Sequence, residues 1–544
     1  MSDTFRLTLA QLDATTGDLS GNAAKARTAW EVARDAGADM VALPEMFLTG
    51  HTPRGLSRRP GVVAEARRHL DDLIAACADG PALGIGAPTR PGDAEKPRNT
   101  WIVAHRGRIV AEVHKHHGSR DAAFETRSLA AGDVSGPYAI GPVRIGSLIG
   151  ADAWSEDVAE TLAETGAEIL IVPTGSPYSR GGQDVRYGHM VARVVETGLP
   201  LVWLNLTGGQ DDLVFDGASF ALNPGGALTH HLPSFEDTIV HVDFDRTADG
   251  WRARPGIRVP QPEGPEADYR AMVRGLRDHM GKSGATTALL GLSGDTASAL
   301  VAAIAADAIG PANLRCVTLH SDDTARENAR GLAKRLGCRL DILPIDASHT
   351  AVTKTVAQLS DAPLTDIAGA NLRSRLRGLL LASLAETFGA MLLTPATRSE
   401  LAIGGVTILG DATMGYDPVK GLYRSALPDL CRWRNAHSVE GFLGPAREVV
   451  PTHFIDTPPA TEPGADLTGL AQLPPYPALD DILERLIDRE QSVEEIALAG
   501  HDRDAVKRVE HRVDAIASTP IRSPGLCLSG RTARLDRHDP SVEA

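Results

Sequence analysis

The chain has 544 residues, a formal net charge of -15 at pH 7, 42% hydrophobic residues and 23% charged residues. This length predicts two or three domains, and the negative charge disfavours nucleic acid and anionic membranes as partners. The five cysteines form no CxxC pair, and without a leader or a long apolar run the sequence predicts a cytoplasmic protein.

The first half alternates short β-like runs with alanine-rich helical stretches. Strands are expected at RLTLAQLD, ADMVALPE, NTWIVAH, RIGSLIGAD, EILIVPTG and PLVWLNL, and the helix NAAKARTAWEVARDAG is expected to end at Gly37. This alternation predicts an α/β layered domain over residues 1–245. The proline, glycine and charged residues of 246–267 predict a linker.

The second half has the pattern of a doubly wound parallel sheet. Strands are expected at TTALLGLSG, LRCVTLHS, RLDILPID and AMLLTPAT, with helices such as SALVAAIAADAIG and ARENARGLAKRLG between them. Helices that link consecutive parallel strands form right-handed crossovers, so we expect one domain over residues 268–521. Residues 522–544 lack periodicity and predict a surface or disordered tail.

Four segments of the first half give it a family resemblance. The runs ALPEMFLTG, EVHKHHGSR, SLIGADAW and TGSPYSRGGQDVRYGHM occur in this order, and they resemble the nitrilase-type amidase domain of glutamine-dependent NAD synthetases. The resemblance implies an αββα sandwich with a Glu base, a Lys that stabilises the oxyanion and a Cys nucleophile. Glu45 matches the base and Lys115 the lysine. Alone, such residues are usually only solvated, but the surrounding motif places them in a site.

The position of the nucleophile carries no sulfur. Where the family reads ICEDxW, this chain reads IGADAW, so Gly150 stands at the nucleophile position. Covalent amide hydrolysis needs a thiolate to carry the acyl group. Glu125 is the candidate for the second glutamate, one residue displaced. We therefore expect no glutaminase chemistry. The departures from the family pattern indicate relaxed or redirected selection on this pocket, and the alternative is that the pocket persists only as packing.

A histidine-rich turn surrounds the lysine. His114, His116 and His117 flank Lys115 and are candidates for new chemistry if the domain has been repurposed. Such a turn is more often solvated polar surface, and the HKHH spacing does not match a typical metal motif.

The run LGLSGDTASAL opens the second domain and resembles the LGLSGGxDSAL phosphate loop of synthetase domains of the adenine nucleotide alpha-hydrolase type. Ser293, Gly294 and Ser298 keep the frame, whose amides at a helix N-terminus suit an anion. Asp295 replaces a glycine, and Ala297 replaces an acid that helps hold the metal and pyrophosphate. At an effective dielectric of about 20, two unit charges about 4 Å apart repel by roughly 4 kcal/mol. Tight pyrophosphate binding is therefore expected to be disfavoured.

Two further segments complete the candidate site. The run TPATRSE resembles a TTGNKSE motif, which implies that Glu400 is a magnesium ligand and that Arg398 replaces a nucleotide-binding lysine. The helix at 371–378 resembles the helix that lines the dinucleotide site and the dimer interface of the family. The candidates for dinucleotide binding or for the interface are Asn371, Arg375, Arg377, Asp411 and Lys420. These positions could equally serve only packing and subunit pairing.

Three functions remain open from the sequence. The favoured one is a non-catalytic paralogue that acts as an assembly or ligand-binding subunit, because both sites depart from the family pattern. The second is a repurposed nucleotide-dependent ligase or transferase of specialised metabolism. The third is a weak ammonia-dependent NAD synthetase that acts on deamido-NAD. No cofactor is certain, and Mg²⁺ with ATP or a dinucleotide are the candidates. The expected partners are further copies of the chain in a homo-octamer, and a nucleotide-like ligand or another enzyme.

Overall fold

The computed structural model describes residues 4–51, 59–90, 92, 96–118, 129–319, 323–359, 364–407, 410–412, 414–456, 473–517 and 525–528. Contacts divide the chain into two compact units, Met1–Gln210 with Val214–Pro262, and Asp211–Leu213 with Glu263–Ala544. Among the described residues, no helix is long and apolar enough to cross a membrane.

The first unit contains two large sheets. Its strands are β1 (Thr4–Gln11), β2 (Met40–Ala42), β3 (Ala82–Thr89), β4 (Arg98–His105), β5 (Arg108–His114), β6 (Tyr138–Ile140), β7 (Val143–Ser147), β8 (Ile169–Thr174), β9 (Leu201–Asn205), β10 (Thr207–Gln210), β11 (Leu213–Asp216), β12 (Phe220–Asn223), β13 (Ala227–His231), β14 (Thr238–Thr247) and β15 (Gly250–Ala253). One sheet has the order β15-β14-β1-β2-β3-β4-β5, the other has the order β13-β12-β9-β8-β7-β6, and β10 pairs with β11.

The two sheets of this unit pack against each other through an apolar core. Leu7 and Trp101 of one sheet meet Ile145, Ile171 and Val202 of the other in a single buried cluster. The outer layers are α1 (Leu19–Asp35) and α2 (Pro60–Ala76) on one side, and α3 (Asp157–Glu164) and α4 (Gly182–Thr197) on the other. Every residue of β8 is buried, as expected for a strand covered on both faces. The predicted αββα sandwich is confirmed.

The second unit is built on a four-stranded parallel sheet of order β18-β17-β16-β19. Its strands are β16 (Ala288–Gly291), β17 (Leu314–Thr318), β18 (Arg339–Ile342) and β19 (Met391–Leu393). Its helices are α5 (Gly264–Ser283), α6 (Thr296–Ile309), α7 (Asp323–Leu336), α8 (Asp346–Val356), α9 (Asp366–Phe388), α10 (Arg398–Ala402), α11 (Leu427–Ala436), α12 (Thr452–Asp456), α13 (Tyr476–Leu483), α14 (Val493–Leu498) and α15 (Arg503–Ala517). The predicted parallel α/β domain is confirmed.

The segment 246–267 is more regular than its composition indicated. Strand β14 runs to Thr247 and β15 pairs with it antiparallel, while α5 already begins at Gly264. Trp251 of β15 is buried in the core between the two sheets. The irregular connection between the units is therefore shorter than the expected linker, because a single buried tryptophan ties the hairpin to the first unit.

Candidate active sites

Glu45 lies at the buried end of the connection that follows β2, with 2% of its surface exposed. Its carboxylate accepts hydrogen bonds from Lys115 Nζ at 2.7 Å, from Asn99 Nδ2 at 2.7 Å and from the Gly175 amide at 2.9 Å. The structure thus brings the predicted base and the predicted lysine together. Asn99 and Gly175 complete the cluster. Gly175 lies in the run TGSPYSRGGQDVRYGHM, whereas no motif indicated Asn99.

The charge state of this cluster follows from its surroundings. Burial raises the pKa of the Glu45 carboxyl, but the Lys115 ammonium and His51 outweigh it, so that the pKa of Glu45 lies below its usual value. The carboxylate and the ammonium consequently form a charged pair inside the unit, with side-chain exposures of 2% and 7%. A buried pair of this kind is costly to separate.

Gly150 stands directly beside this pair. Its φ is +48°, and a Cβ placed on it would lie 2.6 Å from Glu45 Oε2. A side chain at this position would therefore meet the carboxylate of the base, as a nucleophile would, but glycine supplies none. The remaining cysteine of this unit, Cys77, is buried at the end of α2, where burial raises the pKa of its thiol to about 11. Such a thiol is protonated and inert. Glu125 lies outside the described residues.

The phosphate loop of the second unit joins β16 to α6. Gly294 has a φ of +87°, which favours glycine, and Asp295 is the N-cap of α6. The Asp295 carboxylate accepts hydrogen bonds from the Ser298 amide at 2.9 Å and from Ser293 Oγ at 2.7 Å. Ala297 is buried. The sequence predicts that the N-terminus of α6 binds an anion. In the structure, the carboxylate of Asp295 already occupies this N-terminus.

Asp295 is also paired with a guanidinium. Arg424 Nη2 lies 3.4 Å from Asp295 Oδ2, and Nη1 of the same side chain donates to Glu400 Oε1. Burial raises the pKa of Asp295, but Arg424 and the two serines hold it below its usual value. The expected repulsion of pyrophosphate assumed an unpaired carboxylate, whereas Asp295 is paired with Arg424. Arg424, 129 residues from Asp295, could not be found from the loop motif.

Glu400 and Arg398 lie at the start of α10. The other Glu400 oxygen accepts from the Thr397 amide at 2.9 Å and from the Thr397 hydroxyl at 2.7 Å, which forms a capping box. Arg398 is buried, donates to Asp488 and lies over the Tyr423 ring. The structure thus places Glu400 beside the phosphate loop, whereas Arg398 is engaged in a buried ion pair.

Three of the dinucleotide or interface candidates, Asn371, Arg375 and Arg377, lie in the first half of α9. Asp411 accepts from Arg377 Nε at 2.6 Å, and Asn371 accepts from the Thr407 hydroxyl at 2.9 Å. Asn371 and Arg375 line a cleft of about 440 Å³ between α8 and α9. Lys420 is buried, where its ammonium lowers the pKa of Asp417 against the larger opposite effect of burial.

Fold and sites together define the class of protein: an amide-hydrolase-type unit joined to a nucleotide-dependent synthetase unit. Residues 6–253 match the carbon-nitrogen hydrolase family and residues 268–517 match the NAD synthase family. A glutamine-dependent NAD(+) synthetase of Rhodobacter capsulatus is 48% identical, with 100% of this chain and 99% of the relative covered. The chain belongs to the glutamine-dependent NAD(+) synthetase family.

Further relatives support this assignment. The synthetase of Xanthomonas campestris pv. campestris is 36% identical, with 93% of this chain and 91% of the relative covered. The structure of the Acinetobacter baumannii synthetase in complex with ADP has a TM-score of 0.77 at 26% identity and covers 97% of this chain and 99% of that one.

These relatives correct the functional interpretation of the sequence. The favoured expectation was a non-catalytic paralogue. Full-length similarity at 48% identity to a protein named as a synthetase supports a functional enzyme instead. The expectation gave too much weight to single positions such as Asp295, whose charge Arg424 compensates.

Proposed function

We propose that this chain is a functional NAD synthetase that amidates the nicotinate carboxylate of deamido-NAD at the expense of ATP. In this chemistry the carboxylate attacks the α-phosphorus and releases pyrophosphate, and ammonia then displaces AMP to form the amide. The observation that carries the proposal is the paired charge of the phosphate loop, where Arg424 faces both Asp295 and Glu400. A guanidinium in this position suits a site for phosphate groups.

The same loop fits a magnesium ion. Ala297 lacks the carboxylate that the family motif has at this position, but Asp295 provides a carboxylate two residues earlier. Glu400 provides a second carboxylate and is paired with Arg424, as Asp295 is. Carboxylate oxygens are the ligands that Mg²⁺ takes together with phosphate oxygens. Asp295 and Glu400 would hold the ion, which would neutralise the charge of the polyphosphate.

Ammonia is the proposed source of nitrogen. Glu45 and Lys115 keep their places, but Gly150 provides no atom on which a thioester could form. The first unit is therefore proposed to lack glutaminase activity, although the relatives are named as glutamine-dependent.

The test uses the full-length chain with deamido-NAD, magnesium and ATP, supplied either with an ammonium salt or with ammonia-free glutamine. NAD, AMP and glutamate are measured by mass spectrometry. We expect NAD and AMP in equal amounts with ammonium, and no glutamate with glutamine. No NAD with either donor would refute the synthetase proposal, whereas glutamate release would refute only the proposed loss of glutaminase activity.

A matched pair of variants tests the role of the loop. Arg424→Gln leaves Asp295 and Glu400 without their guanidinium, and we expect the affinity for magnesium-ATP to fall about tenfold, which corresponds to about 1.4 kcal/mol. Arg432→Gln is the control, because Arg432 is 55% exposed and pairs with Asp429 at the surface. Equal affinities of the two variants in calorimetry would contradict a role of Arg424 at the phosphate site.

A further inference from the structure

A second cluster of potential ligands lies outside both sites, within the first unit. Residues His116 and His117 follow β5, and Asp157 begins α3. One ligand atom from each of the three residues lies within 4.8 Å of the others. His117 Nε2 is 2.9 Å from Asp157 Oδ2, and the two imidazole rings have centroids 4.7 Å apart. Asp157 lies 40 positions after His117 in the sequence, which is why no spacing motif indicated it.

The tautomer of His116 is suited to a metal ligand. His116 Nδ1 lies 2.8 Å from the carbonyl oxygen of Gly132. A carbonyl only accepts, so Nδ1 carries the proton and Nε2 keeps its lone pair. Metal-binding histidines are commonly oriented in this way, with one ring nitrogen bonded to a carbonyl or a carboxylate and the other on the metal.

The backbone of the turn is fixed before any ion binds. The amides of His116 and His117 donate to the same Asp152 oxygen, at 3.0 and 2.7 Å, and the other oxygen accepts from the Ile149 amide at 3.1 Å. Asp152 is 1% exposed. The Lys115 ammonium is bonded to Glu45, which compensates the positive charge next to the histidines. Fixed ligands lose little freedom on binding.

We propose that His116, His117 and Asp157 form a binding site for a divalent cation of the zinc class, which clips the turn after β5 to α3. Two imidazoles and one carboxylate favour Zn²⁺, Co²⁺ or Ni²⁺ over Mg²⁺, which prefers oxygen ligands. Both histidines are half-buried and Asp157 is exposed, so a water molecule completes a tetrahedral set. On binding, His117 gives up its hydrogen bond to Asp157 and carries its proton on Nδ1.

The test is titration of the metal-free, full-length chain with Co²⁺, followed by displacement with Zn²⁺. We expect one equivalent per chain, the visible absorption of tetrahedral cobalt with nitrogen ligands, and no displacement by millimolar Mg²⁺. In His117→Gln and Asp157→Asn, both of which can keep a hydrogen bond between the two residues, the affinity falls by more than roughly 10- to 100-fold, the loss that is typical when only a group that orients a metal ligand is removed.

The control is His105→Gln, which removes an imidazole at the end of β4 and should bind like the parent. Circular dichroism of all variants verifies folding. Absence of stoichiometric cobalt binding in the parent overturns the proposal. Binding of unchanged strength in His117→Gln and Asp157→Asn also overturns it, because the ion would then lie elsewhere.

Discussion

At the scale of single residues, the backbone of Gly150 has a conformation that side chains rarely adopt. The φ of +48° lies in the left-handed region, and a side chain would have its Cβ only 2.6 Å from Glu45 Oε2. Non-glycine residues in this region cost about 1–2 kcal/mol. The glycine thus relieves a strain that a working cysteine would have to bear.

Gly150→Cys should therefore destabilise the protein by at least about 1 kcal/mol, because it adds backbone strain and displaces Glu45. Gly188→Ala is the control, since Gly188 lies within α4 and a Cβ there meets nothing within 4 Å. That exchange should be neutral or stabilising by up to about 1 kcal/mol. Urea denaturation of both variants measures the difference, and equal stabilities would show that Gly150 is unstrained.

Asp152 makes stability depend on pH. Burial raises the pKa of Asp152 to about 6 from 3.8, against hydrogen bonds from the His117 and Ile149 amides. A carboxyl with a raised pKa in the folded state favours folding when protonated. Its contribution is therefore complete below the unfolded value and is lost as pH rises through about 6. The full change corresponds to about 3 kcal/mol.

Asp152→Asn should remove this dependence. As pH rises between the unfolded and folded pKa values, the free energy of unfolding of the parent should fall relative to that of the variant. Urea denaturation at several pH values in this interval measures the difference. A difference that does not change with pH would show that the Asp152 carboxyl titrates normally.

At the scale of elements, a buried ion pair ties three helices of the second unit together. Arg434 of α11 donates to both oxygens of Asp307 in α6, at 2.5 and 2.9 Å, and the Tyr269 hydroxyl of α5 donates to the same carboxylate at 2.7 Å. Arg434 and Asp307 side chains are 2% and 1% exposed. Removing one member of such a pair leaves a buried charge without a partner.

Asp307→Ala should therefore lower the free energy of unfolding by about 3–5 kcal/mol. Asp341→Ala is the control, because its pair with Arg315 lies at 24–32% side-chain exposure and should cost about 1 kcal/mol or less. Hydrogen exchange shows whether the loss of stability is centred on α5, α6 and α11. Equal losses in the free energy of unfolding of the two variants would contradict a special role of the buried pair.

Elements were more predictable from the sequence than contacts. Every β-like run that the sequence indicated overlaps a strand, from β1 to β19. In a layered α/β fold, apolar runs between helices form the strands of the buried sheet. The sequence did not indicate strands β3, β5, β6 and β10 to β15. The partners Arg424 and Asp157 were missed because they reach the candidate residues only through the fold. Glu45 and Lys115 were found because a family motif surrounds each of them.

At the scale of the whole molecule, the oligomer expected from the sequence remains a proposal. Helix α9 contains the segment 371–378, and Leu379, which follows this segment, is 57% exposed. An exposed leucine beside a segment that resembles a family interface fits a surface buried by a second copy of the chain.

Leu379→Asp should weaken self-association, because a carboxylate would be buried in the contact. Leu498→Asp is the control, since Leu498 is 89% exposed in α14 and lies far from 371–378 in sequence. Light scattering with size-exclusion chromatography at micromolar concentration compares the masses. Identical masses of the parent and both variants would exclude α9 as a contact of the assembly.

The Asp295 carboxylate occupies the amide of Ser298, and in the proposed synthetase an entering phosphate group would have to displace it. A group held on the same loop has an effective concentration in the millimolar range or above. Once displaced, the carboxylate would be available to the proposed magnesium ion. Its return to the Ser298 amide would then favour the release of pyrophosphate, and product release is often the slow step of an efficient enzyme.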